Sequence, residues 1–358
     1  MDFTEQMLKD FTDAHGTSGH EGSARSVMER YLRQYARLSY DRLGSLVAER
    51  KGRSDRPRVI VAAHLDEVGF MVSEIDKGGF IRFLPLGGWW GHVVLGQRVK
   101  IHARKASVLG VVGCTPPHLL PDEKRKKVLS LDKMYIDVGC QKGFDVKKRL
   151  GIRKGDFITP ESDFTVMGNK KMYLAKAFDN RVSCALICDL FRSLAKKGHP
   201  NTLIGVGTVQ EEVGLRGAQT SAYGINPDIA LIVDVGIAQD TPGFDKDKEE
   251  RLGSGPTVLV YDAGMIPNER MLRLVIETAE KAKIPFHLTS MTRGATDGAR
   301  ISLSRTGVPS VTFGPAIRYI HSHNGILCRT DYNNVLKLLK LVVQKLDERF
   351  LESLNSVD

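Results

Sequence analysis

Apolar residues recur along this chain with more than one spacing, and each spacing marks a different kind of element. Phe3, Met7, Leu8 and Phe11 fall on one helical face, as do Val27, Tyr31 and Leu32, with the turn-forming run Gly16-Thr17-Ser18-Gly19 between them. The continuous apolar run RVIVAA, Arg58 to Ala63, has the length of a short buried strand and ends in His64-Leu65-Asp66. From about Gly69 to Thr165 the pattern changes to short β-type runs separated by Gly and Pro: FMVSEI, FIRFLPL, RVKIHA, SVLGVVG, MYIDVG and DFITP. No long helical period interrupts them, which predicts a compact β-rich unit over residues 70–164.

Beyond it, strands and helices alternate. A helical stretch from Arg181 to Ala195 leads to TLIGVGTVQ, IALIVDVG and TVLVY, then to an amphipathic helix from Asn268 to Lys283, the strand SVTFG and a helix from Tyr332 to Leu346. Near-continuous apolar strands between helices predict an α/β fold, a mainly parallel mixed sheet with helices on both faces. That fold is assigned to residues 1–69 and 165–358, with the β-rich, barrel-like unit inserted into it. A length of 358 residues agrees with about two domains.

Composition narrows the class only modestly. The hydrophobic fraction of 42% is that of a globular protein. No apolar run approaches the ~20 residues needed to span a bilayer, and the opening MDFTEQMLKD is polar, so a cytoplasmic protein without membrane contact is expected. Five cysteines, Cys114, Cys140, Cys184, Cys188 and Cys328, form no CxxC pair and are expected to be reduced thiols. Between Arg98 and Lys176 there are 18 Lys and Arg against 8 Asp and Glu, an excess equal to the net charge of +10 for the whole chain. The cluster Lys124, Arg125, Lys126 and Lys127 lies in that stretch. No aromatic platform is interleaved with it, so a solvated face is expected and no nucleic-acid partner.

Candidate chemistry sits at the strand ends. His64 and Asp66 terminate the first strand, Glu211 and Glu212 follow TLIGVGTVQ, Asp234 lies in IALIVDVG, His321 follows the last sheet strand, and Asp179 stands just before a helix. In a parallel α/β sheet such ends gather at one edge. Taken singly, each residue has a structural reading as a cap, a turn former or a surface side chain. Together they do not, because burying Glu211 and Glu212 beside Asp234 costs several kcal/mol unless cations neutralise them.

Imidazoles and carboxylates without thiolate suit Zn²⁺, Co²⁺ or Mn²⁺, and a carboxylate that bridges two ions is needed, for which Asp179 is the candidate. The expected ligands are therefore His64, Asp179, Glu212, Asp234 and His321. Asp66, two residues beyond His64 on the same strand face, is placed to accept the second ring N–H of His64. Glu211 is left free to carry a proton.

The motifs AHLDEVGF, AKAFDNR, VQEEVGLRGA, DVG, RGATDGAR and RYIHS, with GTSGHEGSAR near the start and GWWGHVVLGQRV in the β-rich unit, resemble the M42 family of metallo-aminopeptidases, the tetrahedral aminopeptidases. The resemblance implies two divalent ions per subunit, Zn²⁺ or Co²⁺ with Mn²⁺ as a further candidate. It implies that His64, Asp179 and Asp234 hold one ion and that Asp179, Glu212 and His321 hold the other, with Glu211 as general base and Asp66 as the partner of His64. It further implies peptide substrates, a substrate-side loop at Thr296, Asp297 and Gly298, and a dimerisation role for the inserted unit, with dimers assembling into a tetrahedral homododecamer. Two departures stand out. His323-Asn324-Gly325 replaces a segment that in the family carries Pro and Glu, and Trp90 stands where an acidic residue is expected.

Three alternatives remain open from sequence. The same centre could hydrolyse N-acyl or blocked amides. A glycosidase would use paired carboxylates but leaves His64 and His321 without a role. An inactive scaffold would bind through the basic stretch.

Overall fold

A computed structural model describes residues 1–141, 144–245 and 249–355. Within the basic stretch, residues 142 and 143 and the side chain of Lys124 lie outside that description, as do residues 356–358 of the last segment.

The expected α/β fold with a barrel inserted into it is what the chain adopts. Eight strands form the main sheet, in the order Arg37–Tyr40, Leu46–Lys51, Thr202–Thr208, Arg58–His64, Ile229–Val233, Ser310–Gly314, Thr257–Asp262 and His287–Met291. The four at its centre, from Thr202–Thr208 to Ser310–Gly314, run parallel. Antiparallel pairing enters where Leu46–Lys51 meets Thr202–Thr208 and where Thr257–Asp262 meets Ser310–Gly314.

Why Arg58–His64 sits in the middle follows from its residues. Val59, Val61 and Ala63 face one core, shared with the helix Phe178–Leu194, while Ile60 and Ala62 face the other, shared with the helix Arg216–Ile225. A strand buried on both faces needs an unbroken apolar run, and RVIVAA supplies one. The amphipathic helix Glu269–Lys281 is capped by Asn268, whose side-chain oxygen accepts from the Met271 N–H at 3.1 Å.

Six antiparallel strands between Gly69 and Pro160 close into a barrel. Alternate residues point inward, among them Phe70, Val72, Ile81, Phe83, Val99, Ile101 and Ile158, which fill its core. A second sheet of five short strands, absent from the sequence reading, joins Thr165–Val166, Met172–Ala175, Gly325–Cys328, Ala316–Arg318 and Gly236–Ile237. The expected helix Tyr332–Leu346 begins one turn earlier, at Arg329, and a further helix, Glu348–Asn355, follows it. Among the described residues no helix is long and apolar enough to cross a membrane.

Candidate metal centre

His64 ends the central strand Arg58–His64, in register with Thr208 on the neighbouring strand. Asp234 directly follows the strand Ile229–Val233, on the other side of Arg58–His64. Both side chains are buried. The three parallel strands thus deliver their last residues to one edge, as the alternation of strands and helices implied.

Adjacent residues on an extended strand face opposite ways, so Glu211 and Glu212 could not both reach the site from a straight strand. The chain solves this at Gln210, whose φ of +56° is left-handed. That conformation costs a non-glycine residue about 1–2 kcal/mol and turns the backbone so that both glutamates lean over the same edge. Ala177 (φ +56°), Leu215 (φ +58°), Tyr319 (φ +60°) and His321 itself (φ +52°) share it, so left-handed residues flank several of the segments that carry site side chains. Asp179 and Asn180, although assigned to the helix Phe178–Leu194, have non-helical dihedrals, so the regular helix starts near Arg181 as the sequence suggested. Asn180 ties the segment down by donating to the Val233 carbonyl at 3.0 Å.

Four carboxyl groups and two imidazoles converge there. One oxygen of Asp179 lies 3.1 Å from His64 Nε2 and the other 3.3 Å from His321 Nε2. Glu211 approaches His64 Nε2 to 3.8 Å, and Glu212 approaches His321 Nε2 to 3.6 Å. Three sets of ligand atoms each lie within 4.8 Å of one another: His64 with Asp179 and Asp234, Asp179 with Glu212 and His321, and His64 with Glu211 and Glu212.

The electrostatics are those of too many acids in too little water. Burial, with Asp179 close by, pushes the Glu212 carboxyl up to about 8. Burial pushes Asp234 to about 7 and Asp297 to about 6, and drives Glu211 well above the usual carboxylate range. The imidazoles respond in the opposite sense. Burial disfavours the His321 cation, yet Asp179 and Glu212 raise it to about 9, and Glu211, Asp179 and Asp66 likewise raise His64 well above its ordinary value. Asp179, between the two rings, is held low despite its burial. Glu212 Oε1 is buried with no hydrogen-bond partner. An orphaned carboxylate oxygen beside surplus acids is what a cation would satisfy, so this donor set fits divalent metal.

Asp66 does more than expected. The His64 Nδ1–H meets the main-chain oxygen of Asp66 at 3.1 Å, with the carboxylate Oδ1 further off at 3.5 Å. The carboxylate is engaged elsewhere: it accepts from the Glu211 N–H at 3.0 Å, the Glu212 N–H at 3.1 Å and the Ser18 hydroxyl at 2.6 Å. Residue 66 therefore holds the imidazole with its main chain and both glutamates with its side chain. Cys184, behind His64, donates its thiol to the His64 carbonyl at 3.1 Å, and burial pushes that thiol up to about 12.

Several contributors left little trace in the sequence. The Gly88 carbonyl, from the end of the barrel, accepts from His321 Nδ1 at 2.8 Å. A Cβ at Gly88 would stand 3.2 Å from that nitrogen, and one at Gly87 would stand 2.9 Å from Glu212 Oε2. The paired glycines of GGWW were the available signal. After His321, the divergent segment is held by the barrel: His323 packs against Trp89 with ring centroids 5.5 Å apart, and Asn324 accepts from the Ser162 hydroxyl at 2.7 Å. Trp90 stands out from the barrel, 61% exposed.

The site opens into a cavity of about 530 Å³ whose far wall includes Leu259, Ser290, Met291, Arg293 and Thr296. Of the loop expected beside the substrate, Thr296 lines this cavity. Asp297 is buried and accepts from the Thr208 hydroxyl, and Gly298 opens a short helix.

Comparison with known proteins identifies the family. The M42 glutamyl aminopeptidase family profile matches residues 44–338, and a second profile, AMPT, matches residues 2–28. The chain is 37% identical to the glutamyl aminopeptidase of Lactococcus lactis, over 95% of this chain and 96% of that one. It is 30% identical to the lysyl aminopeptidase of Pyrococcus furiosus, over 95% and 97%. Among solved structures, a TET aminopeptidase from a marine-sediment thaumarchaeon superposes with a TM-score of 0.94 at 40% identity, over 99% of this chain and 100% of that one. The TET1 peptidase of Pyrococcus horikoshii, which assembles into a tetrahedron or a large octahedral shell, superposes at 0.83 with 28% identity, over 96% and 100%.

Proposed function

Since this chain belongs to the M42 aminopeptidase family, we propose that it removes single N-terminal residues from peptides at a centre for two divalent ions, Zn²⁺ or Co²⁺ with Mn²⁺ as a third candidate. His64, Asp179 and Asp234 would hold one ion, and Asp179, Glu212 and His321 the other. The observation that carries this reading is the split of Asp179, one oxygen toward each imidazole, beside the unpartnered Glu212 oxygen. Ions bound there supply Lewis acidity toward the scissile carbonyl and lower the pKa of water in the site.

The chain's own groups do the rest. Glu211 takes a proton from the attacking water and returns it to the leaving amine. Burial holds its carboxyl high, His64 opposes that, and Asp234 and Asp297 add to it; divalent ions in the site would favour the carboxylate that a base needs. Asp66 fixes Glu211 and Glu212 through their backbone N–H groups, so the base and a ligand keep a constant separation. Thr296 and the cavity wall around it would meet the first residue of the peptide. In the assembly proposed here the barrel pairs two chains and the pairs build a tetrahedral dodecamer, by extension from the tetrahedral relatives; light scattering on purified protein checks this, and a monomer would refute it.

The test is a panel of free and N-acetylated amino-acyl anilides assayed with Zn²⁺, Co²⁺ and Mn²⁺. Free amino-acyl substrates should be cleaved and acetylated ones spared; the reverse preference would make the enzyme an N-acyl hydrolase. Glu211→Gln should retain its metal and lose roughly 10² to 10⁴-fold in kcat. Full activity in that variant would remove Glu211 from the mechanism.

A further inference from the structure

We infer that Ser18 and Glu21, on the loop between the first two helices, are positioning residues for the proposed base, holding the backbone of Gln210, Glu211 and Glu212 so that Glu211 points into the cavity. This rests on the reading of Glu211 given above. The segment GTSGHEG has no other part in the chemistry, yet Ser18 and Glu21 are both buried beside the centre.

Three successive backbone N–H groups enter the site unpaired by any strand, and each meets a carboxylate. Gln210 N–H donates to Glu21 Oε1 at 3.0 Å, Glu211 N–H to Asp66 Oδ1 at 3.0 Å and Glu212 N–H to Asp66 Oδ2 at 3.1 Å. The loop supplies the first acceptor directly. It fixes the other two through the Ser18 hydroxyl, which donates to Asp66 Oδ2 at 2.6 Å. Gln210 is the left-handed residue on which the direction of both glutamates depends. With the acceptor for its N–H removed, the strained turn loses one of its restraints, and the residue that swings is the base.

The loop is itself anchored on both sides. Glu67 accepts from the Gly16 N–H at 3.1 Å and donates its own N–H to the Gly16 carbonyl at 2.9 Å. His20 stacks on Phe157 of the barrel, with ring centroids 4.3 Å apart and planes inclined by 16°. Glu21 Oε1 also accepts from the Gly19 N–H at 2.7 Å, so a single oxygen closes the loop and grips the turn. A glutamine at this position offers the same oxygen, whereas an alanine offers none.

The metal-loaded full chain and its Glu21→Ala, Glu21→Gln and Ser18→Ala variants are compared by steady-state kinetics, metal analysis and amide hydrogen exchange over residues 206–215. Glu21→Ala should lower kcat roughly 10- to 100-fold, the cost of a small misplacement of a catalytic group, with KM within about twofold and metal content unchanged. Its exchange over residues 210–212 should rise about tenfold or more, and Glu21→Gln should restore both readouts. Unchanged kcat and exchange in Glu21→Ala, or a Glu21→Gln variant as impaired as Glu21→Ala, would overturn the assignment. Should Glu21→Ala fail to fold, Ser18→Ala decides: faster exchange with a several-fold lower kcat supports the hold, and neither change overturns it. Exchange needs no peptidase activity, so an inactive wild-type chain would sink the functional reading while leaving the backbone hold testable.

Discussion

Two buried charged clusters lie side by side in this molecule, built from the same segments but with opposite charge balance. One residue beyond Asp66, Glu67 receives Lys176 Nζ at 2.7 and 2.8 Å and has Arg181 at 3.6 Å, all three side chains fully enclosed. Arg181 Nη1 also donates to the carbonyls of Phe11 and Ala14 and Nη2 to that of Gly16, while its Nε has no partner among the described residues. Between Lys176 and Arg181 in sequence stands Asp179, which belongs to the other cluster. There, among the described residues, Asp179, Glu211, Glu212 and Asp234 are grouped with His64 and His321, and one Glu212 oxygen has no partner. In the first cluster the acid is met by two protein cations, and the group ties the N-terminal loop to the sheet. The second is short of positive charge, and that shortage distinguishes a site for cations from a structural ion pair.

Replacing an acid in each cluster should separate the two roles. Asp179→Ala should abolish peptide hydrolysis and lower metal content while leaving the circular-dichroism spectrum intact. Glu67→Ala should act on the fold instead, because it strands Lys176 and Arg181 without a counter-charge; a stability loss of about 3–5 kcal/mol in urea titration is expected. If Asp179→Ala unfolds the chain or Glu67→Ala is silent, the contrast between the clusters is wrong.

A smaller effect should appear in the metal-free protein as a slope of stability against pH. The folded-state values for Glu212, about 8, and Asp234, about 7, lie above the unfolded values near 4, so the folded chain binds more protons over that interval. Stability is then fully present at low pH and lost as pH rises through 7 and 8. His321, raised to about 9, contributes in the same direction and loses its contribution as pH passes that value. Asp66 and Asp179, whose values are lowered, change only on the acid side. The metal-free Tm should therefore fall between about pH 5 and pH 9, Glu212→Gln should flatten the fall, and saturating divalent ion should remove it. A metal-free Tm that rises over this range would mean the acids are not in excess.

The parts of the fold legible in the sequence are those with a long pattern. RVIVAA and IALIV announce central strands because a strand covered on both faces must be apolar throughout. The five-stranded second sheet stayed hidden because its strands span two to four residues, too short to show a period. Arg37–Tyr40, mostly exposed, carries no apolar run either. At the site, the side-chain contributors were readable as acidic and imidazole residues at strand ends. The main-chain contributors were not: the Gly88 carbonyl lies 233 positions from His321, and the turn at Gln210 leaves no mark on residue type. Residue 66 was expected to hold His64 by its carboxylate, whereas the nearer contact is its backbone oxygen.

The most direct test of the cation-short cluster is a titration of metal-free protein with Zn²⁺ or Co²⁺, following bound metal and hydrolysis of free amino-acyl anilides together. Two ions should bind per chain, with activity rising to its maximum as the second is taken up and vanishing on chelation. Full activity in protein stripped of metal, or a chain that binds none, would contradict it.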